Sequence, residues 1–413
     1  MTSVTAPSDA LDPGGLLAAA GSLLDDLVAL RRDLHRRPEL GLDLPLTQAR
    51  VLEALDGLPL TIRTGERQSS IIADLDSGRP GPTVLLRGDM DALPMPEDTG
   101  LDYASEIDGV MHACGHDAHT AMLAGAARLL AGRRDELTGR VRFLFQPGEE
   151  GQGGAAIALQ EGALDATDGG EPVSWAFAIH QTPTVPSGMI ATRPGPLLAS
   201  ADELHVTLRG RGGHASMPHH ANDPVPVACE VVQAIQTWVT RRVDVFDPAV
   251  VTIACIRAGT TNNVIPETVS LDGTIRTVSP RVRADARAAI HRIAEHVAAA
   301  HEMRAEVEVL DGYPVTVNDD AAAGEVLATA RWLVGDDRAV AVPAPAMGAE
   351  DFSYILEEVP GAMAFLGTRP PDASPVDVAP NHSNRMVLDE EAMATGVALY
   401  AAAALRRSGG AGA

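Results

Sequence analysis

Residues 111–123 read Met-His-Ala-Cys-Gly-His-Asp-Ala-His-Thr-Ala-Met-Leu and place Cys114, His116 and His119 within six residues, with Asp117 between them. A cysteine and a histidine two positions apart, on an irregular turn that opens a helix, can reach one metal ion or two adjacent ions. Both are good ligands for zinc-like ions once the thiol has lost its proton. The alternative is a capped helix start that happens to contain polar side chains, and other parts of the chain decide between the two.

The length and composition indicate an acidic, globular chain of two domains. With 413 residues, 45% of them hydrophobic and 21% charged, the chain is too long for one ordinary core. Aromatic residues make up only 3%, so Ala, Leu and Val must fill the core. All 32 basic residues are Arg, and 56 acidic residues give a net charge of -24. Such a charge disfavours nucleic acid and anionic membranes as partners.

The three cysteines do not form a disulfide framework. Cys229 lies in an apolar helical pattern and Cys255 in a strand pattern, so both are predicted to be buried thiols, and only Cys114 has polar neighbours. Residues 1–10 lack the basic start and apolar run of a signal peptide, and no run of about 18 apolar residues could span a membrane. We therefore predict a cytoplasmic protein.

Three apolar runs, each predicted to be a buried strand, end in polar side chains. The strand at 83–87 leads into Asp89 and Asp91, the strand at 141–145 into Glu149 and Glu150, and the strand at 175–179 into His180. Ligands of open α/β sheets bind at the carboxyl ends of the strands. Turn-forming Asp residues and a structurally satisfied histidine are the alternatives, but the repetition at three strand ends favours a site.

A phosphate-binding loop is the main competitor for the glycine-rich turn at 146–154, which joins a strand to a helix. The chain contains no Lys, so the Gly-Lys-Ser/Thr phosphate clamp cannot form, and no Gly-x-Gly-x-x-Gly is present. The adjacent acids would also repel a phosphate. A catalytic or metal-binding role for Glu149 and Glu150 is therefore the better interpretation.

The pattern of predicted elements changes near residue 200. Six elements in the order β-α-β-β-α-β, as in a ferredoxin-like unit that can fold by itself, lie at 204–208, 223–238, 250–256, 269–275, 282–299 and 305–310. Because α/β patterning resumes after Tyr313, we predict an inserted domain at 200–311 within a discontinuous catalytic domain of residues 14–199 and 312–406. That catalytic domain also contains a strand at 362–366 and helices at 14–37, 46–56, 118–130, 321–333 and 390–405. The tail, 408–413, is expected to fray.

Side chains able to bind metal or transfer protons collect at the strand ends and loops. They are Asp91, Cys114, His116, Glu149, Glu150, His180 and His382. A single structural zinc needs four ligands in a closed tetrahedron, whereas five ligands with spare carboxylates suit two ions about 3.5–4 Å apart that share a water. A free carboxylate must still move the proton of that water. The adjacency of Glu149 and Glu150 fits one carboxylate that binds metal and another that transfers the proton.

Seven motifs resemble those of the aminoacylase and carboxypeptidase-type metallohydrolases, and most closely the branch of N-acyl-amino-acid amidohydrolases, hippurate hydrolases and plant auxin-conjugate hydrolases. They are Arg-Asp-Leu-His at 32–35, Gly-Asp-Met-Asp-Ala-Leu-Pro at 88–94, His-Ala-Cys-Gly-His-Asp-Ala-His at 112–119, Gln-Pro-Gly-Glu-Glu-Gly at 146–151, His-Ala-Ser-Met-Pro at 214–218, Asn-Val-Ile-Pro at 263–266 and Gly-Ala-Glu-Asp-Phe at 348–352. They occur in the expected order over nearly the whole chain, which makes the resemblance specific.

This resemblance implies two divalent metal ions, Zn, Mn or Co, held by Cys114, His116, Glu150, His180 and His382. It also implies Glu149 as the general base and Asp91 as an acid that orients the base and the metals. Cys114 stands where more distant relatives have a bridging Asp, which implies a thiolate shared by both ions. The implied fold is an α/β catalytic domain, with a central mixed sheet flanked by helices, and an inserted ferredoxin-like lid through which the protein forms a homodimer.

Three lid positions, His214, Asn263 and Arg276, match family positions that contact the carbonyl oxygen or carboxylate of the substrate. In relatives, a lid histidine of one subunit can complete the site of its partner. Turn-forming roles for His214 and Asn263, and a surface cation for Arg276, are the alternatives.

The chain departs from the family pattern at Gln181, after His180, and at Asn-Arg-Met at 384–386, after His382. Both departures are expected to reshape the acyl pocket and therefore bear on the identity of the substrate. We predict a metal-dependent amidohydrolase that cleaves N-acyl-L-amino acids to a carboxylic acid and an amino acid. The alternatives are a dimetal dipeptidase or aminopeptidase, and a metal-binding or thiol-sensing protein without turnover, which would not need Glu149.

Overall fold

The computed structural model describes residues 11–167 and 169–408, so most of the tail that was expected to fray lies outside the described residues. The chain divides into two compact units. The first runs up to Gly195 and includes Val317–Pro343 and the chain from Tyr354 onwards, and the second comprises Pro196–Thr316 and Ala344–Ser353. Residues 344–353, which the sequence analysis placed in the catalytic domain, thus belong to the second unit.

The two units together contain ten α-helices and sixteen strands among the described residues. The helices are α1 (Pro13–Gly21), α2 (Leu24–Arg36), α3 (Pro45–Leu55), α4 (His116–Ala131), α5 (Gly154–Gln160), α6 (Pro224–Arg242), α7 (Pro280–Ala300), α8 (Asp320–Val334), α9 (Phe352–Glu358) and α10 (Ala392–Ser408). The strands are β1 (Thr61–Thr64), β2 (Ile71–Asp76), β3 (Thr83–Asp89), β4 (Arg140–Gln146), β5 (Val173–Pro186), β6 (Ile190–Thr192), β7 (Gly195–Leu198), β8 (Asp202–Arg209), β9 (Gly213–His214), β10 (Ala249–Ala258), β11 (Val264–Ile265), β12 (Thr268–Thr277), β13 (Arg304–Leu310), β14 (Thr316–Asn318), β15 (Ala339–Ala341) and β16 (Gly361–Arg369).

An eight-stranded mixed sheet, in the order β1-β2-β4-β3-β5-β16-β6-β15, forms the centre of the first unit. Its middle strands β4, β3, β5 and β16 are parallel, while β1, β2 and β6 pair with antiparallel neighbours. Strands β3 and β4 are buried along their whole length, which explains why they read as continuous apolar runs rather than as alternating ones. The predicted α/β class, with a mixed sheet flanked by helices, is confirmed.

Two nearly fully buried helices, α4 and α10, pack on this sheet and on each other. Both are rich in Ala, as expected of a chain with few aromatic residues. The hydroxyl of Tyr400 on α10 donates to the carbonyl oxygen of Arg87 (2.7 Å) and accepts from the backbone N–H of Ile179 (3.0 Å). This side chain therefore ties α10 to β3 and β5, the two strands that carry Asp89 and His180.

The predicted single helix at 14–37 is wrong, because α1 and α2 are separate helices bent by 50° at Ser22 and Leu23. The Ser22 hydroxyl donates to the carbonyl oxygen of Ala19 (2.7 Å), a local bond by which serine competes with continued helix. The apolar spacing alone did not reveal this break.

Among the described helices, none is by itself long and apolar enough to cross a membrane, although the bent pair α1 and α2 together is long and apolar enough.

The second unit contains a four-stranded antiparallel sheet in the order β10-β12-β8-β13. Helices α6 and α7 pack against it around a separate apolar core. The predicted order β-α-β-β-α-β is present, since β12 separates β8 from β10 as a split unit requires.

The prediction of buried thiols is wrong here: Cys229 on α6 is exposed and Cys255 on β10 is half-buried.

Candidate metal centre

Parallel strands bring the polar residues of the first unit to one edge of the large sheet. Asp89 ends β3 opposite Gln146, the last residue of β4, so the segments after both strands begin at the same level. His180 does not end its strand as predicted, because β5 runs on to Pro186. Strand β3 beside it stops at Asp89, however, and this leaves His180 at the edge of the sheet. The parallel pairing of β3 with β4 and β5 thus brings residues from all three strands to the same edge of the sheet.

A sharp bend at Gly115 presents Cys114 and His116 to this edge. Gly115 has φ of +80°, a left-handed conformation that a side chain disfavours, and His116 begins α4 directly after it. Sγ of Cys114 lies 3.4 Å from Nε2 of His180. One ligand atom from each of Cys114, His116 and His180 lies within 4.8 Å of the others, so the three can hold one ion.

A second group shares Cys114 with the first and adds residues from two loops. Ligand atoms of Cys114, Glu150 and His382 lie within 4.8 Å of one another, and Nε2 of His382 is 3.3 Å from Oε1 of Glu150. His382 has φ of +66°, and its backbone N–H donates to the carbonyl oxygen of Ala113 (2.9 Å). A further group joins His116 to Glu149 and Glu150. The thiolate of Cys114 is therefore placed to serve two adjacent ions.

The buried candidate ligands fit metal ions, because the imidazole of one of them, His116, has no hydrogen-bond partner among the described residues. His116 is fully buried, and within the described part of the chain neither of its ring nitrogens has a hydrogen-bond partner. The nearest carboxylate oxygens, of Asp91, Asp89, Glu149 and Glu150, lie 3.5–3.9 Å away. An unpaired buried imidazole is costly, whereas a metal ion within the cluster would satisfy it.

The charge state of Cys114 also fits a metal ligand. Burial opposes ionisation of the thiol, but His180 and His116 outweigh burial and lower the pKa of Cys114 to about 6. Thiolate is the form that binds metal. Candidate ligands of one sulfur, imidazole nitrogens and carboxylate oxygens match the preferences of zinc-like ions.

Asp91 holds the turn that carries the two glutamates. Its Oδ1 accepts the backbone N–H of Glu149 and its Oδ2 that of Glu150, each at 2.9 Å. Because both carboxylate oxygens are used in this way, Asp91 orients the two glutamates through their backbone. Oδ1 of Asp91 is also 3.5 Å from Nδ1 of His116.

His119, although part of the dense stretch at 111–123, lies behind the cluster. Its Nδ1 is 2.5 Å from Oδ1 of Asp89, and its Nε2 accepts the backbone N–H of Gln181 (2.8 Å). Burial outweighs the attraction of Asp89 and lowers the pKa of His119 to about 4, so the ring is neutral. With one nitrogen donating and the other accepting, His119 has no lone pair left for a metal.

A buried ion network on the other side of α4 was not identified as such from the sequence. Asp117 accepts hydrogen bonds from Nε of Arg31 (2.9 Å) and from Nδ1 of His35 (2.7 Å), and Nη1 of Arg31 also donates to Glu390 (2.8 Å). Burial opposes its charge, but Arg31 and His35 hold the pKa of Asp117 well below its usual range. Arg31 and His35, four residues apart on the buried face of α2, were the available signal.

The three residues that were predicted to belong to a lid, His214, Asn263 and Arg276, all lie in the second unit. His214 on β9 pairs with Val264 on β11, and both His214 and Asn263 line an open groove of about 460 Å³ formed by residues 212–214 and 263–267. Nδ1 of His214 accepts the N–H and hydroxyl of Ser216, so a neutral ring carries its proton on Nε2. Arg276 lies half-buried on β12, and burial lowers its pKa from the ordinary value.

An α/β sheet with two adjacent metal-binding groups at its carboxyl edge is the architecture of a metallohydrolase, and comparison with known proteins agrees. The model of "Peptidase family M20/M25/M40" matches residues 85–406, and the chain belongs to this family. The predicted resemblance is therefore confirmed, and the protein is a metal-dependent hydrolase.

Three similar proteins carry different names. The chain is 39% identical to N-acetyl-L-cysteine deacetylase of Bacillus subtilis over 84% of this chain and 81% of the relative. It is 36% identical to thermostable carboxypeptidase 2 of Saccharolobus solfataricus (93% and 96%) and 35% identical to IAA-amino acid hydrolase ILR1-like 4 of Arabidopsis thaliana (94% and 87%). A crystal structure described as a dinuclear metal-binding M20 peptidase from Bacillus subtilis superposes with a TM-score of 0.79 at 33% identity, covering 93% of this chain and 98% of that one.

Proposed function

We propose that the protein hydrolyses the amide bond of N-acyl-L-amino acids to a carboxylic acid and an amino acid. The observation that carries this proposal is the pair of metal-binding groups that share Cys114, with Glu149 held beside them by Asp91. Two relatives support the substrate class by their names, since one is a deacetylase of an N-acetylated amino acid and another a hydrolase of an acylated amino acid.

Two divalent ions, Zn, Mn or Co, would be held by Cys114, His116, Glu150, His180 and His382. When bound, they supply a Lewis acid for the amide carbonyl and lower the pKa of an attacking water. Glu149 then acts as the general base. It accepts a proton from the water as the C–O bond forms, and it delivers that proton to the amide nitrogen as the C–N bond breaks.

Asp91 assists this step through the backbone. Its carboxylate fixes the two N–H groups of Glu149 and Glu150, so the base and a metal ligand keep a constant separation. A base that is held in place avoids the entropic cost of orienting it at each turnover. We assign Asp91 to positioning the base, in agreement with the role implied by the resemblance.

For the second unit we propose contact with the substrate and assembly as a homodimer. His214 has a donor at Nε2, and Asn263, whose Oδ1 accepts from Thr261, has its amide NH₂ as a donor. Both can stabilise the oxygen that becomes negative during attack. The guanidinium of Arg276 would pair with the carboxylate of the amino acid, which favours N-acyl amino acids over simple amides.

The test is a rate assay of the metal-loaded protein against N-acetyl, N-benzoyl and indole-acetyl amino acids, with free dipeptides and N-blocked peptides beside them. We expect turnover of the acylated amino acids, and its loss after chelation with recovery on adding Zn²⁺, Mn²⁺ or Co²⁺. The name of the carboxypeptidase relative favours peptides as a second candidate substrate class. Faster cleavage of peptides than of every acylated amino acid, or full activity of metal-free protein, would overturn the proposal.

A further inference from the structure

Gln181 is a fully buried side chain beside the metal centre, and every polar group of its amide is used. Nε2 donates to the carbonyl oxygen of Cys114 (2.7 Å) and to Oδ1 of Asn381 (2.8 Å), while Oε1 accepts the hydroxyl of Thr368 (2.6 Å). The reverse orientation of the amide would put two acceptor oxygens against each other at Cys114. The direction of these hydrogen bonds is therefore determined by their partners.

The bonds of Gln181 join its own segment to two others, and all three segments carry candidate metal ligands. Cys114 is bound through its carbonyl oxygen, His180 is the preceding residue, and His382 follows Asn381 directly. Asn381 returns a bond, since its Nδ2 donates to the backbone carbonyl oxygen of Gln181 (3.3 Å). Nδ1 of His180 lies 2.6 Å from the same oxygen, an arrangement that directs Nε2 of His180 towards Sγ of Cys114.

The packing around the amide shows that this arrangement is tight. A Cβ atom added at Gly115, between Cys114 and His116, would lie 2.5 Å from Nε2 of Gln181. Gly115 is thus required both by its backbone conformation and by the approach of the Gln181 amide. Both N–H groups of the amide have protein acceptors and its oxygen accepts the hydroxyl of Thr368, so the side chain is bound to the protein around the candidate ligands.

We propose that Gln181 is a positioning residue that joins the Cys114, His180 and His382 segments into one preorganised metal centre. The role rests on the metal-dependent function proposed above. Without the amide, the carbonyl oxygen of Cys114 and Oδ1 of Asn381 lose their donor, and the segment of the more exposed ligand, His382, is held less firmly at the sheet edge. Loss of such outer hydrogen bonds lowers metal affinity by about 10- to 100-fold.

The experiment measures Zn²⁺ binding to metal-free full-length protein by competition with a chromophoric chelator, beside the thermal unfolding temperature. Gln181→Ala is expected to lower the affinity for at least one of the two Zn²⁺ ions by about 10- to 100-fold. Gln181→Glu keeps the size and the acceptor for Thr368 but loses both donors, so it is expected to resemble the alanine variant. Wild-type affinity in either variant would overturn the proposal.

The matched control is Asn318→Ala, which also removes a buried amide of the first unit. Its Nδ2 donates to Thr192, Arg193 and Met363, and its Oδ1 accepts from Met363, none of them in a ligand segment. We expect it to lower thermal stability and to leave Zn²⁺ affinity unchanged. An equal loss of affinity in this control would show general loosening and overturn a specific role for Gln181.

If Gln181→Ala does not fold, Asn381→Ala decides the question, since Asn381 is half-buried in a loop. It is expected to weaken Zn²⁺ binding at near-normal stability, and unchanged affinity would overturn the proposal. Because Zn²⁺ binding is measured without substrate, the outcome is independent of the substrate class. A wild-type protein that binds two Zn²⁺ ions but cleaves no N-acyl amino acid would overturn the proposed function alone.

Discussion

Asp89 and Asp91 leave the same strand two residues apart, yet their hydrogen-bond partners give them different tasks. Asp91 accepts the backbone N–H groups of Glu149 and Glu150, whereas Asp89 is bound by Arg87 and His119. Burial opposes the charge of Asp89, but Arg87 and the neighbouring histidines hold its pKa well below the usual range. Asp91 thus acts on the base, and Asp89 neutralises the buried guanidinium of Arg87 behind the cluster.

The two adjacent glutamates give the sharpest prediction at the scale of single residues. Glu149→Gln should keep both metal ions and lose about 10²- to 10⁴-fold in kcat, because the amide has the same shape but cannot accept a proton. Glu150→Gln, its matched partner, should lose metal, since a neutral amide is a poor ligand. Metal content by elemental analysis and kcat are measured on each variant. Equal metal loss in both would show that this division of roles is wrong.

Among the elements, α4 is packed tightly, because it is buried against α2 and α10. A Cβ atom at Gly125 on α4 would lie 2.6 Å from Cδ2 of Leu27 and 2.9 Å from Cγ2 of Val397. Both neighbours belong to the apolar core and cannot easily move away. The absence of a side chain at Gly125 therefore sets how closely α2 and α10 approach α4.

Gly125→Ala is accordingly expected to destabilise the protein by about 1–2 kcal/mol, because overpacking outweighs the gain in helix propensity. Gly324→Ala is the matched helical control, since Gly324 is exposed on α8 and a Cβ there meets no atom within 4 Å. It should stabilise the protein by up to ~1 kcal/mol. Urea unfolding of both variants provides the measurement, and a Gly125→Ala variant as stable as Gly324→Ala would contradict this account of α4.

On the scale of the whole molecule, each unit has its own apolar core. The core of the second unit draws buried residues from β8, α6, β10, β12 and α7, with side chains of β13 packed against it. These elements lie between residues 200 and 311. Their strand pairing and their apolar core lie within a β-α-β-β-α-β unit, which supports independent folding.

We therefore expect a fragment of residues 200–311 to fold alone. Far-UV circular dichroism should show mixed α/β structure, and heating should give one cooperative transition. A control fragment that stops at residue 300 lacks β13, which pairs with the central strand β8, and should be largely unfolded. A disordered 200–311 fragment would mean that the lid depends on the rest of the chain.

The role proposed for the lid predicts that His214→Ala lowers kcat strongly with unchanged metal content. Mixing it with Glu149→Gln tests a site shared between subunits, because each inactive protein retains the residue that the other lacks. Recovered activity in the mixture is expected if one subunit's lid serves its partner. Monomeric protein in sedimentation at assay concentration, together with a fully active His214→Ala variant, would leave the lid a structural role only.

Local periodicity and strand-end composition sufficed to predict the large features of this protein. Continuous apolar runs marked the buried strands β3 and β4, and the β-α-β-β-α-β order marked the inserted unit. Parallel strands end at one edge of a sheet, so Asp91, Glu149 and His180 could be expected to converge there. The resemblance of the motifs to a known family then pointed to a metallohydrolase.

Tertiary structure alone decided which of these similar residues does what. His116 and His119 lie on one turn of one helix, but their surroundings come from distant parts of the chain. There, among the described residues, the ring of His116 has no hydrogen-bond partner, whereas both ring nitrogens of His119 are bound by Asp89 and Gln181. From the sequence Gln181 was expected to reshape the acyl pocket, and only the structure revealed its contacts with Cys114 and Asn381. The physical reason is that local sequence specifies backbone conformation, whereas the donors and acceptors around a buried side chain come from distant segments of the chain.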